Sequence, residues 1–214
     1  MKERTSWLLV LATLIGLAIG VVLSCGGNSG GGGGDDDNGA DDDDSAATDD
    51  DAADDDTSGD LIDNGDGTAT DPSSGLTWQV TPATIVLNWT DAMTYCQNLT
   101  LAGGGWHLPT ISELRSLIRG CPAIQTGGAC GVTDFCLDWA CRNDYCEGCG
   151  SLGGPGSGGA YWPAEMSGEI GQYWSSSLVA NQGVPSYAWG VSFYYGGDLG
   201  GYGCDGNRDA RCVR

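Results

Sequence analysis

The sequence predicts an α+β domain over residues 61–214, with two amphipathic helices, several short strands and a cysteine-stapled insert at about 121–159. The first observation behind this is the stretch WHLPTISELRSLIRG at residues 106–120. Pro109 disfavours helix in the residue before it, and Thr110 with Glu113 three positions on forms a capping box, so a helix starts here. Ile111, Leu114, Leu117 and Ile118 then recur at helical spacing and turn one apolar face to a core. Glu113, Arg115 and Arg119 are left in water, and Gly120 stops the helix. The second observation is another helix over residues 88–101, with Trp89, Ala92, Met93, Cys96 and Leu99 on one face. Asn88 or Thr90 serves as its N-cap, Gly103 to Gly105 end it, and Cys96 faces inward. The third is alternation of apolar with small or polar residues at 174–176 and 188–195, the pattern of strands covered on one side.

Taken from the start, residues 1–24 open with Lys2 and Arg4 and run apolar from 7 to 23, the order of a secretory signal peptide. A single membrane helix is the competing reading, at the lower edge of spanning length. Val22-Leu23-Ser24-Cys25-Gly26 resembles the lipobox of bacterial lipoproteins, in which the cysteine is lipidated and becomes the new N-terminus. Gly26 in place of aspartate implies, by that family's sorting logic, the outer membrane, with the domain exposed at the surface or in the periplasm. Residues 25–60 are glycine followed by aspartate blocks, and from 28 to 60 no apolar side chain exceeds alanine. Such a segment is expected to be a disordered tether extended by self-repulsion; weak calcium uptake by its carboxylates is the sharper alternative.

Residues 61–79, LIDNGDGTATDPSSGLTWQ, contain the hairpin-turn dipeptides Asn64-Gly65 and Asp66-Gly67 and a second turn at 72–75 before a strand at 76–80. DNGDG has a calcium-loop look, but Gly65 stands at a ligand position and the closing glutamate is missing, so a turn is expected. The N-x-T sequons at Asn88 and Asn98 read as helix cap and helix end. The insert carries Cys121, Cys130, Cys136, Cys141, Cys146 and Cys149 without apolar periodicity, so no ordinary core is expected there and disulfides must hold its shape. A four-thiolate zinc site at Cys136, Cys141, Cys146 and Cys149 is the alternative, and a redox CxxC lacks its βαβ context. Beyond the insert, residues 196–206 read as a glycine-rich loop and 210–214 as a terminal strand carrying Cys212.

Charge excludes one class of partner. Of 29 acidic and eight basic residues, fifteen and two lie within 1–60, which leaves fourteen acids against six arginines and a balance of −8 for the domain. A lysine-free surface of that sign repels nucleic acid and anionic lipid headgroups.

The motifs DNGDGTATDPSSGLTWQ, WTDAMTYC, WHLPTISELRSLI, YWSSS, YAWGVSF and RCVR, in that order, resemble the DUF1566 domain, also known as the C-terminal domain of the Legionella collagen-like adhesin (Lcl). The resemblance covers residues 61–214 apart from the insert. It implies a C-type-lectin-like fold, in which two helices lie beside small antiparallel sheets and the termini meet, and it implies a disulfide between Cys96 and Cys212. A link closing so long a loop adds roughly 4–5 kcal/mol by loop-closure entropy. The Glu-Pro-Asn or Gln-Pro-Asp loop of calcium-dependent lectins is missing, and Asn143-Asp144 follows Arg142 within the insert, so neither metal nor cofactor is expected. The adhesin is associated with sulfated glycosaminoglycans, which an acidic domain does not suit. His107 stands where the family commonly has arginine and is expected to be a packed or surface ring.

The resulting expectation is a non-catalytic, cell-surface binding or adhesion module for a glycan or protein ligand, anchored in the membrane by lipid on Cys25. Tyr194, Tyr195, Asp198 and Tyr202 in or beside the glycine-rich loop are the candidate ligand contacts. Trp78, Trp106, Trp162, Trp174 and Trp189 are expected to pack inside. Two alternatives remain: an envelope protein without a specific ligand, and an enzyme, because WHLPT with Glu113 is similar to a stretch of formylglycine-generating enzymes. Those enzymes use late cysteines, which makes Cys204 the candidate thiol. With Cys25 lipidated nine cysteines remain, and fixing Cys96 to Cys212 still leaves about 105 schemes, so spacing chooses none of them. The odd thiol is either free or links two chains; Cys204, alone in its loop, is the candidate for it, with a staple to the insert as the equal alternative.

Overall fold

The computed structural model describes residues 61–182 and 186–214; the expected signal peptide at 1–24, the expected lipidation site Cys25 and the expected tether at 25–60 lie outside the described residues. Polar turns build the first sheet. Asp63 Oδ1 accepts from Gly65 N at 2.8 Å, and Asp66 Oδ1 accepts from Thr68 N and Oγ1 at 3.1 and 2.6 Å. These aspartate-to-backbone bonds reverse the chain between β1 (Ile62–Asp63) and β2 (Thr68–Thr70). Asp71 makes the same bonds to Ser73 N and Oγ, at 2.9 and 2.6 Å, ahead of β3 (Thr77–Gln79). The strands pair antiparallel in the order β1-β2-β3, with Ile62 opposite Thr70 and Ala69 opposite Trp78.

Helix α1 (Trp89–Asn98) is capped by Asn88, whose side chain accepts from Asp91 N, and buries Ala92 and Cys96. Helix α2 (Ile111–Ser116) carries the full capping box: Thr110 Oγ1 accepts from Glu113 N at 3.2 Å and the Glu113 carboxylate accepts from Thr110 N at 2.8 Å. Ile111, Leu114, Leu117 and Ile118 are wholly buried, each contributing roughly 1.5–3 kcal/mol relative to exposure. The regular helix stops at Ser116, and Gly120 with φ +79° turns the chain away.

Arg115 corrects the expectation of a wet face. It is 2 % exposed, and its guanidinium donates to the carbonyls of Ile124 at 2.7 Å, Gln125 at 3.1 Å and Val132. The insert folds back over this side of α2, so its carbonyls replace water around the charge. Burial pushes the Arg115 pKa down.

The second sheet is antiparallel in the order β4-β5-β6, from β4 (Gln172–Leu178), β5 (Tyr187–Ser192) and β6 (Gly197–Gly203). Two expectations change here. Residues 197–203 are a strand rather than part of a loop, because glycine allows close approach. A Cβ on Gly201 would stand 2.4 Å from the Trp139 ring, and one on Gly200 would stand 2.9 Å from Tyr202. The strands are also covered on both faces: every residue of β5 after Tyr187 is buried, with α2 against the sheet and Trp139 of the insert 5.1 Å from Trp189.

The C-terminal residues join the two sheets by bridges rather than as a regular strand. Thr77 and Arg214 exchange both backbone bonds, at 2.8 and 3.0 Å, Gln79 N donates to Cys212 O at 3.0 Å, and Val213 pairs with His107. Upstream, Trp174 N donates to Asp209 O at 3.0 Å, which ties the tail to β4. The Cys96–Cys212 disulfide spans 116 residues and fastens α1 to this tail. Arg211, fully buried, donates to the carbonyls of Gln79 at 2.8 Å, Ser167 at 2.6 Å and Val80, with its guanidinium 5.0 Å from the Trp162 ring centroid.

The insert contains only 3-10 turns, at Trp139–Cys141, Asp144–Glu147 and Ser157–Gly159. Disulfides Cys121–Cys149, Cys130–Cys146 and Cys136–Cys141 staple it, so the four thiols weighed for zinc are all bonded to sulfur. It does carry core, contrary to its lack of periodicity: Ile124 and Val132 are wholly buried in the same cluster as Trp78 and Leu114.

Candidate functional site

The turn between β5 and β6 presents the candidate side chains. Phe193 is wholly buried, its neighbours Tyr194 and Tyr195 are 36 % and 44 % exposed, and Gly196 with φ +72° lets the chain turn back into β6. The two tyrosine rings meet edge to face with centroids 4.8 Å apart. The insert holds them from beneath: Leu152 N donates to Tyr194 O at 2.8 Å, and Cys149 N donates to Tyr195 O at 2.9 Å. Gly148 is required at that seam, since a Cβ there would stand 2.3 Å from Tyr195 O. Two rigid aromatic side chains on a fixed backbone thus face solvent.

Charge lies beside them. Asp198, half-buried and with φ +37°, has its carboxylate 3.8 Å from the Arg142 guanidinium, and Arg142 stands 3.9 Å from Glu147. Arg142 Nε donates to Leu199 O at 2.8 Å, which binds the insert to β6. Burial pushes the Asp198 carboxyl up, Arg142 opposes the shift, and Glu147 adds to it. Tyr145, 61 % exposed on the 3-10 turn at Asp144–Glu147, belongs to the segment packed against β6.

Tyr202 has a different place. Its ring packs edge-on to Trp174 at 6.1 Å and under the Arg208 guanidinium at 4.6 Å, and its hydroxyl donates to Asp198 O at 3.3 Å. Burial raises its pKa, and the half-buried ring packs between Trp174 of β4 and Arg208. Arg142 stands beside Asp198 and Glu147, and Cys149 and Leu152 brace Tyr195 and Tyr194, sequence-distant company that no local pattern signalled.

The remaining expected positions are simply located. Cys204 is the one free cysteine among the described residues; it is half-buried, and burial first and the Asp205 charge second push its thiol up. His107 lies on the surface with Nε2 3.2 Å from Glu113. Trp78, Trp106, Trp162, Trp174 and Trp189 are all buried. Among the described residues no group of three or more His, Cys, Asp or Glu is placed to hold a metal, and no helix is long and apolar enough to cross a membrane.

These features define a small α+β domain held by disulfides that displays an aromatic turn. The family model of the Lcl C-terminal domain matches residues 67–214, and the chain belongs to that family. No curated protein and no solved structure matches it.

Proposed function

We propose that the chain is a cell-surface lipoprotein whose domain is a non-catalytic, C-type-lectin-like binding module for a glycan or protein ligand. The observation that carries this is the Tyr194–Tyr195 pair, exposed and fixed by two backbone bonds from the insert. Aromatic faces held in this way contact sugar rings or apolar protein surface at little entropic cost. Burial first and the Asp205 charge second raise the Cys204 thiol, which lowers the thiolate fraction that an enzymatic reading would call on. The lipid anchor rests on the lipobox at residues 22–26 and the aspartate-rich tether behind it.

The test is binding of the full chain to a glycan and envelope-protein array, with calcium and with chelator. Binding that persists in chelator and falls about tenfold or more in Tyr194→Ala and Tyr195→Ala supports the module. Binding lost in chelator, or silence throughout, overturns it in favour of a metal-dependent site or a structural envelope role. The anchor is checked by fractionation: Cys25→Ala releases the protein from membranes, whereas retention means that residues 7–23 span the bilayer.

A further inference from the structure

A cleft of about 410 Å³ opens on the surface where three segments meet: the β2–β3 turn, the end of α2 and the first loop of the insert. Asp71, Ser73 and Ser74 form one wall, Ser116, Ile118 and Arg119 the second, and Gln125 with Thr126 the third. Of these eight side chains only Ile118 is apolar. Ser73 and Ser116 already donate, to Asp71 and to Glu113 O, and offer their oxygens as acceptors; Thr126 and the Gln125 carboxamide add donors and acceptors, and the charges of Asp71 and Arg119 cancel.

The walls are built in advance. Asp71 is 2 % exposed and is held by Ser73 N and Oγ, while its backbone bonds Leu76 and Gly75 across the turn. Arg119 donates to the carbonyls of Ser116 at 2.7 Å and Ile118 at 3.1 Å, and its backbone N donates to Tyr161 O. Gln125 is fixed through its carbonyl by the buried Arg115 and stands four residues past the Cys121–Cys149 disulfide. A ligand therefore meets polar groups that already stand in place.

We propose that this cleft binds a neutral saccharide unit, free or at the end of a glycan chain. Its volume falls in the range of small-ligand sites. Its mixture of hydroxyl, amide and guanidinium matches a ring of hydroxyls, each of which can both donate and accept. The charge balance of the lining favours no ion, and the domain's net −8 disfavours sulfated or carboxylated sugars. The site is separate from the Tyr194–Tyr195 turn, so each can fail without the other.

The experiment is saturation-transfer NMR on the full chain in detergent, with D-glucose, D-galactose, D-mannose and N-acetyl-D-glucosamine as neutral probes. Glucuronate and glucosamine are the charged controls, and a polymer of any sugar that binds separates a free ligand from a chain end. At least one neutral sugar is expected to bind saturably, with affinity about fivefold weaker in Gln125→Ala and in Thr126→Val, whose side chains line the cleft. Gln125 is half-buried and Thr126 exposed, and near-ultraviolet circular dichroism of the variants verifies that the fold is kept. Absence of saturable binding by all four neutral sugars overturns the proposal, as does tighter binding of a charged control. So does affinity that is the same in Gln125→Ala and Thr126→Val as in the parent protein, an outcome that leaves the aromatic binding module standing.

Discussion

The scaffold and the insert reach order by different routes. Residues 61–120 and 160–214 contain both helices and both sheets, and one disulfide spanning 116 residues closes them. Residues 121–159 contain only 3-10 turns and are stapled by disulfides spanning 28, 16 and 5 residues. In the scaffold, burial of an apolar face fixes each element. In the insert, no ladder satisfies the backbone, and arginines supply part of the missing bonding. Arg115 takes three insert carbonyls, and Arg142 fastens the insert to Leu199 of β6. A segment without periodicity can still bury Ile124 and Val132 completely once cross-links limit its unfolded states and charged donors meet its carbonyls.

The largest effect that separates the two routes is loss of a cross-link. Loop-closure entropy assigns about 5 kcal/mol to Cys96–Cys212 and only about 2 kcal/mol to Cys136–Cys141, because the first closes the longer loop. The Cys96→Ala/Cys212→Ala double variant is therefore expected to unfold the whole domain at markedly lower urea, and Cys136→Ala/Cys141→Ala to lower the midpoint modestly. Equal shifts in the two urea curves would break the comparison, since they would mean that loop length does not set the contribution.

Next in size is the arginine that joins the regions. Arg115→Met keeps the aliphatic stem but leaves the carbonyls of Ile124, Gln125 and Val132 without their donor, a loss of roughly 3 kcal/mol. Amide hydrogen exchange is expected to show the loss first at residues 121–133, where those carbonyls lie. Arg211→Met removes the donor from Gln79, Val80 and Ser167, and its loss falls on the scaffold. Exchange that accelerates uniformly over the domain in both variants would show that insert and scaffold unfold as one unit.

How much was legible follows the same division. The capping box at Thr110 and Glu113, the Asn88 cap and the aspartate turns were readable because each is a local bond between residues two to three apart. The apolar face of α2 was readable from its period. Arg115 was not, because a helical wheel shows which face a side chain takes but not what another segment lays over it. The glycines of β6 misled for a related reason: they signal flexibility in a sequence, yet at Gly200 and Gly201 they mark where Tyr202 and Trp139 press against the strand. Of the candidate site, Tyr194 and Tyr195 stood out as adjacent aromatics before a glycine pair. Their brace at Cys149 and Leu152, and the cleft around Gln125, depend on contacts across dozens of residues that leave no local pattern.

The smallest effect tests the seam itself. Asp198 sits where β6 meets the insert, and its carboxyl is raised chiefly by burial, against the opposing charge of Arg142. An acid whose folded pKa lies above its unfolded value binds its proton more tightly in the folded state. Its contribution to stability is thus fully present below the ordinary carboxylate value near 3.8 and is lost as pH rises through the raised folded value. Asp71 in the scaffold is the opposite case: bonds from Ser73 and Ser74 outweigh burial and lower its pKa, so its contribution is present at neutral pH and falls away in acid. Asp198→Asn keeps the shape and removes the charge, and it is expected to leave the domain equally or slightly more stable at pH 7, by less than about 1 kcal/mol after solvent screening. Asp71→Asn is expected to destabilise at pH 7 and to converge on the parent protein as pH falls. Urea midpoints measured from pH 3 to 7 decide it: if Asp198→Asn weakens the domain most at neutral pH, the Arg142 ion pair outweighs burial, and the insert is held to β6 by charge.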